Sequence, residues 1–294
     1  MSSQRRRTAL TGYAFFAPFL LVFLATVVLP LGYAGYLSLF HERLVGGRVF
    51  VGLDNYLKAL TDPVFGAGLL RVTGFLAVQV PLMLGLAVAA ALAIDSGRLW
   101  RPGLFRAGVF VPYAVPAVVA ALMWGYLYGT DFGLAGQLGK ILGLPLPDFL
   151  GGSWLLASIG NIVTWEFVGY NMLICYAALR AIPPELYEAA EVDGAGPLRV
   201  AWSVKLPALR PALLVATVFS VIGSFQLFNE PSILQSLAPA SITTGYTPNL
   251  YAYNLAFDGL RFDYSAAIAV LLGLVTVVIA YVVHTVTERR ERQG

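Results

Sequence analysis

Six stretches of the chain are almost free of charge: residues 8–40, 72–94, 107–130, 149–179, 211–229 and 264–286. Glu166 is the only Asp, Glu, Lys or Arg inside any of them. About 20 predominantly apolar residues cross a bilayer as a helix, and each stretch is close to that length or longer. The pattern predicts an all-α, polytopic membrane protein in one transmembrane domain over residues 1–294. Its six transmembrane helices are placed near residues 10–40, 71–95, 106–129, 152–180, 209–230 and 264–286. Arg5, Arg6 and Arg7 precede the first stretch, as in a signal peptide. That apolar run is too long for one, so an uncleaved first span is expected.

Residues 231–257 also lack charge but are rich in Pro, Ser, Thr, Asn and Tyr. Pro239 and Pro248 are expected to break any helix there, which puts the segment outside the membrane or partly re-entrant at its surface. Pro18, Pro30, Pro81, Pro112 and Pro116 fall within the spans, where they serve either as packing kinks or as parts of a moving gate.

Composition agrees with a membrane location: 58% of residues are hydrophobic and 12% charged, with a mean hydropathy of +0.75. A soluble domain of this length needs far more surface charge. The single cysteine, Cys175, excludes a disulfide framework and a thiolate metal site. Net charge is +3, and its placement matters more than its size. With the N-terminus inside, the cytosolic segments hold thirteen of the 19 lysines and arginines and the outer segments six. Both termini and residues 181–208 are therefore expected in the cytosol. The outer segments are 41–71, 131–148 and 231–263. His41 is expected to be external and solvated. Basic residues gather at the ends of apolar runs and not along one face, which argues against a nucleic-acid partner.

The cytosolic segment between the fourth and fifth apolar runs has its own pattern. Pro184 suits the first position of a helix, and Glu185, Glu188 and Glu191 place acids near its positive end. Gly194 is the expected stop, since it can take a left-handed backbone. A second short helix is predicted to start at Pro197 and to finish by Leu206, the residue before Pro207. Glu188-Ala189-Ala190, Gly194, Val204 and Leu206-Pro207 together resemble the signature loop of permease subunits of bacterial binding-protein-dependent ABC importers. Val204 stands where isoleucine is more usual. The flanking Asp193-Gly194-Ala195 and Ala181-Ile182-Pro183 resemble the sugar-importer branch, and the chain looks like the larger maltose-type permease partner. An amphipathic loop lying on the bilayer is the plain alternative. Val51-Gly52-Leu53-Asp54-Asn55-Tyr56 resembles the family's first external loop, capping the start of the second span, and reads equally as a simple turn.

Enzyme chemistry finds little support. Gly139-Lys140 is superficially like the end of a phosphate-binding loop, but Leu134 and Ile141 break the pattern. A Ser224–His284 dyad is the enzyme reading to weigh. Ser224 lies roughly 20 Å into its span, whereas His284 lies near the cytosolic end of its own, so the two cannot meet. Two separated histidines make no metal site.

Glu166 carries the most information, because a carboxylate inside a span usually faces a polar cavity or a partner. Trp165 adjoins it and Tyr170 follows one turn on. An aromatic ring and an acid suit a sugar, whose apolar face stacks while its hydroxyls donate. Ser220, Gly223, Ser224 and Leu227 form a small, polar stripe on the next span, either for ligand or for helix packing. Gln226, Asn229 and Glu230 follow towards the outer mouth.

The resemblance implies a transmembrane permease subunit of a bacterial inner membrane that carries a sugar, specifically a di- or oligosaccharide. It places substrate near Tyr170, Ser220, Gly223, Ser224 and Leu227. It makes Glu185, Glu188, Ala189, Ala190, Asp193 and Gly194 the cytosolic coupling helix and its stop, docking on an ATPase. Implied partners are a second permease, two copies of that ATPase, which bind ATP and Mg, and an extracytoplasmic sugar-binding protein. The chain itself is expected to hold no cofactor. An importer of glycerol phosphate or another polyol is the alternative, and an intramembrane enzyme the one from a different class. The lack of Lys or Arg inside the stripe argues against a strongly anionic cargo.

Overall fold

The computed structural model describes the backbone of residues 2–293 apart from 44–45, 131–132 and 144. The side chains of residues 2–11, 191 and 286–293 are outside the description, and with them the terminal arginines and Glu191 named above. The chain is mostly helical. Helices long and apolar enough to cross a bilayer are Gly12–Ser38 (α1), Pro63–Asp95, Leu155–Arg180, Pro197–Leu234 and Phe262–Thr285. The helices Pro102–Ala114 and Ala117–Tyr128, bent by 99° at the break between them, are together apolar enough for a sixth crossing if the pair is one broken span, and otherwise form a re-entrant loop. The charge-free run 107–130 concealed that bend. Val115 and Pro116 leave the helical region with ψ of 129° and 134°, as the residue before a proline tends to do.

Two prolines do something other than end a helix. Before Pro207 the chain is already helical from Pro197, through one π turn at Ala201–Lys205, and continues as Leu206–Phe225. Leu206 N–H reaches back five residues to Ala201 O. The same arrangement occurs in α1, with a π turn at Leu24–Val28 just before Leu29-Pro30. The wider turn lets the helix run on past a residue that has no N–H to donate. The expected finish at Leu206 is thus replaced by a helix that runs into the fifth span.

The chain divides into two units. The first comprises Met1–Pro63 with Ala252–Leu271. After α1 it forms a hairpin of β1 (Phe40–Arg43) and β2 (Gly47–Phe50), with Phe40 opposite Phe50. Helix α2 (Asp54–Thr61) follows. Asn55 Nδ2 donates to Ser38 O at 2.9 Å and to Phe40 O at 2.8 Å. The loop around Asn55 therefore closes the C-terminal end of the first span. His41 is not simply solvated: its Nδ1 lies 2.7 Å from Asp263 Oδ2. The same oxygen accepts from Glu42 N–H. Tyr264 OH donates to Asp62 Oδ2 at 2.7 Å, with Lys58 and Arg261 over its ring.

The second unit comprises Val64–Tyr251 with Leu272–Gly294. In chain order its helices are α3 (Pro63–Asp95), α4 (Pro102–Ala114), α5 (Ala117–Tyr128), α6 (Leu134–Leu142), α7 (Leu155–Arg180), α8 (Pro184–Val192), α9 (Leu206–Phe225) and α10 (Asn229–Leu234). One core packs Phe75, Ala120, Leu155, Ile159 and Ile162 against Leu227, Leu234, Ile242 and Leu250. A second packs Ala87, Ala91 and Ile94 against Met172, Cys175, Leu179 and Leu209. Residues 231–257 therefore do more than border the membrane. They form α10 and α11 (Pro248–Phe257) and send several side chains into the first core. Pro248 starts a helix here; it breaks none, and its missing N–H costs nothing at that position. The final helix, α12, is Phe262–Gln293.

Candidate functional site

The bend between α4 and α5 and the turn after α9 open a cavity of about 360 Å³ within the second unit. From α7 its wall takes Val163, Phe167, Tyr170 and Asn171, which recur at helical spacing and so share one face. From α9 come Phe219, Ser220, Gly223 and Ser224, and beyond it Gln226, Leu227, Asn229 and Glu230. Helix α3 adds Phe75, Gln79 and Met83, and α4 adds Tyr113.

Tyr113 stacks on Tyr170, with ring centroids 4.9 Å apart and planes 18° apart, and meets Phe167 edge-on at 5.9 Å. This aromatic wall depends on a close approach of α4 to α7. A Cβ on Gly169 would collide with the Val109 carbonyl and with Phe110 Cα, so only glycine lets the two helices meet. The polar groups are amides and hydroxyls. Gln79 Nε2 donates to Thr164 Oγ1 at 3.3 Å, Asn171 Nδ2 to Phe167 O at 3.0 Å, and Ser224 Oγ to Ser220 O at 2.8 Å.

Tyr170, Ser220, Gly223, Ser224 and Leu227 thus share one cavity, while Trp165 and Glu166 stand outside its lining. On a 3.6-residue helix, Trp165 falls opposite the face of Phe167 and Tyr170, and Glu166 falls just off that face. Glu166 is buried at 4% exposure, and its carboxyl meets that of Glu230 from α10. Trp165 packs edge-on to Trp124 at 5.9 Å. Among the described residues, the buried polar side-chain atoms without a hydrogen-bond partner are Glu166 Oε2 and Trp124 Nε1. Gln79 and Tyr113 escaped the sequence reading. A glutamine inside an apolar run and a tyrosine between Pro112 and Pro116 were the available signals.

A second constellation surrounds α8. Pro184 occupies its first turn and Gly194, at φ +71°, ends it. Ala195 N–H donates to Ala190 O at 2.9 Å, the six-to-one bond of a Schellman stop. Glu185, Glu188, Ala189, Asp193 and Gly194 are exposed and Ala190 half-buried. Leu186, Val192, Leu198 and Trp202 are exposed beside them. Lys205 Nζ lies 2.5 Å from Asp95 Oδ2, and both side chains are largely buried. The same ammonium sits over the Tyr187 ring at 5.4 Å. Burial, then the Asp95 charge, push the Tyr187 phenol above its ordinary pKa, and Arg180 pulls it back.

A helical membrane fold around a polar, aromatic-walled cavity, with an exposed helix beside a buried ion pair, fits a transport subunit. The family described as binding-protein-dependent transport system inner membrane component matches residues 82–293, and the chain belongs to it. The diacetylchitobiose uptake system permease protein NgcF of Streptomyces coelicolor is 31% identical over 304 residues, spanning 96% of this chain and 85% of NgcF. The trehalose/maltose transport system permease protein MalF of Thermococcus litoralis is 30% identical over 286 residues, spanning 96% and 94%. A chain of a bacterial alginate ABC transporter, solved with an alginate pentasaccharide-bound periplasmic protein, superposes with a TM-score of 0.84 at 19% identity. That superposition covers 98% of this chain and 97% of the other, and gives the fold. The chain is a transport subunit of the inner membrane and not an enzyme.

Proposed function

We propose that the chain is the permease half of an ABC importer that passes a neutral di- or oligosaccharide through the cavity walled by Tyr113, Tyr170, Ser220 and Ser224. The observation that carries this reading is the cavity wall: stacked tyrosines beside amides and hydroxyls, one acid, and no lysine or arginine among its lining residues. Tyrosine rings offer an apolar face to a sugar ring, while serine, asparagine and glutamine meet its hydroxyls. A phosphate ester would call for a cation at this depth. The names of the relatives, for diacetylchitobiose and for trehalose or maltose, support the same class.

In this reading a second permease completes the pore, and an extracytoplasmic binding protein delivers the sugar. Of two ATPase subunits, which bind ATP and Mg, one docks on α8 and the exposed Leu186, Val192, Leu198 and Trp202, and the other on the second permease. Closing of the ATPase pair moves α8, and its mount on Asp95 passes the motion to α3. The cavity turns outward to accept sugar and inward after hydrolysis. Both termini face the cytosol with α8. The test is deletion of the gene from its host, followed by uptake of labelled maltose, trehalose, lactose, chitobiose and glycerol 3-phosphate. Loss of one or more of the disaccharides, with glycerol phosphate uptake intact, is expected. Loss of glycerol phosphate uptake alone would overturn the sugar reading.

A further inference from the structure

We propose that Glu230 is the specificity-determining residue of the cavity, selecting neutral sugars that offer a pair of adjacent hydroxyls, and that Glu166 is its positioning residue. The inference rests on the sugar reading above and adds to it. Glu230 is the one ionisable acid in the cavity wall, only 6% exposed. It lies in the first turn of α10. The two oxygens of a carboxylate match two hydroxyls on neighbouring carbons of a sugar ring, and both of those bonds are charge-assisted, which an amide or a hydroxyl does not provide. The same charge, in a wall without a cation, repels a uronic acid or a phosphorylated sugar.

Behind Glu230 stands Glu166, 4% exposed, off the cavity and in contact with the Glu230 carboxyl. Ionised carboxylates only accept, so such a contact is a hydrogen bond when one proton lies between the pair. The pair then keeps one negative charge, and the Glu230 side chain is fixed against α7. The unpartnered Glu166 Oε2 and Trp124 Nε1 belong to residues outside the cavity lining. The hydrogen-bonding demand here exceeds what packing of α5, α7 and α10 requires, and native proteins keep few such groups without a use.

The geometry separates the two acids by substitution. The experiment uses the assembled transporter in nanodiscs, without binding protein. Equilibrium dialysis measures binding of labelled maltose, trehalose, lactose and chitobiose, with digalacturonate as the acidic probe. Wild type is expected to bind one or more of the neutral disaccharides and to reject digalacturonate. Glu230→Gln should weaken neutral binding by roughly ten- to a hundredfold and raise digalacturonate binding relative to it. Glu230→Asp keeps the charge but withdraws it, so it should weaken neutral binding and still reject the acid. Glu166→Gln supplies an amide donor in place of the shared proton and should stay within about threefold of wild type. Glu166→Leu should lose affinity as Glu230→Gln does, a difference that bulk packing alone would not create. Unchanged affinity and selectivity in Glu230→Gln, with wild type binding sugar, would overturn this inference alone. Failure of wild type to bind any of the neutral sugars would overturn the sugar reading and the inference with it.

Discussion

At the scale of single residues, two glycines have opposite histories. Gly194 could be read in the sequence, because it follows a helix of acids begun by Pro184 and precedes Pro197, so a left-handed stop belongs there. Its φ of +71° and the bond from Ala195 N–H to Ala190 O make that stop. Gly169 could not be read, since its reason is the Val109 carbonyl sixty residues away in sequence. Trp165 and Glu166 were misplaced for a similar cause. Composition showed an acid and a ring together, while the angle between cavity and helix face depends on α3, α4 and α9. For Gly194 the expectation is specific. A β-branched residue in the left-handed region costs about 1–2 kcal/mol, enough to reshape the end of α8. Gly194→Val should abolish sugar uptake while the protein still inserts, and Gly194→Asn, which tolerates that backbone, should keep most of it. Equal uptake by the Val variant would mean that the shape of this stop does not matter to coupling.

At the scale of elements, the mount beneath α8 is the feature that periodicity could not show. Asp95 and Lys205 end two apolar runs and look like ordinary interfacial charges, yet they meet at 2.5 Å with little exposure. The π turn at Ala201–Lys205 shifts the register of the helix just before Pro207, at the point where Lys205 must reach Asp95. Proline rules predicted a break there, and the wider turn replaced it. Removing one partner of a buried pair leaves an uncompensated charge and costs roughly 3–5 kcal/mol, whereas replacing both with apolar residues costs far less. Asp95→Leu should therefore lower thermal stability strongly in detergent, and Asp95→Leu with Lys205→Met should recover most of it. If the pair also carries motion, the stable double variant should hydrolyse ATP in the assembled transporter without taking up sugar. Full uptake by the double variant would reduce the pair to a structural brace.

At the scale of the whole molecule, the crossings were legible because a bilayer demands long charge-free runs, and that demand shows directly in the residue order. The bend at Pro116 and the burial of residues 231–257 were not, since both depend on which neighbours accept the freed backbone groups. Orientation rests on a different signal, the thirteen basic residues on one side against six on the other. By that rule α8 is expected in the cytosol and Thr243 outside. Both Ser203 and Thr243 are exposed, and Cys175 is buried. Single cysteines at these two positions, in a Cys175→Ser background, therefore give a clean comparison. In intact cells an impermeant thiol reagent should label Thr243→Cys and leave Ser203→Cys unlabelled until the membrane is opened. Labelling of Ser203→Cys from outside would invert the topology and remove α8 from any contact with a cytosolic ATPase.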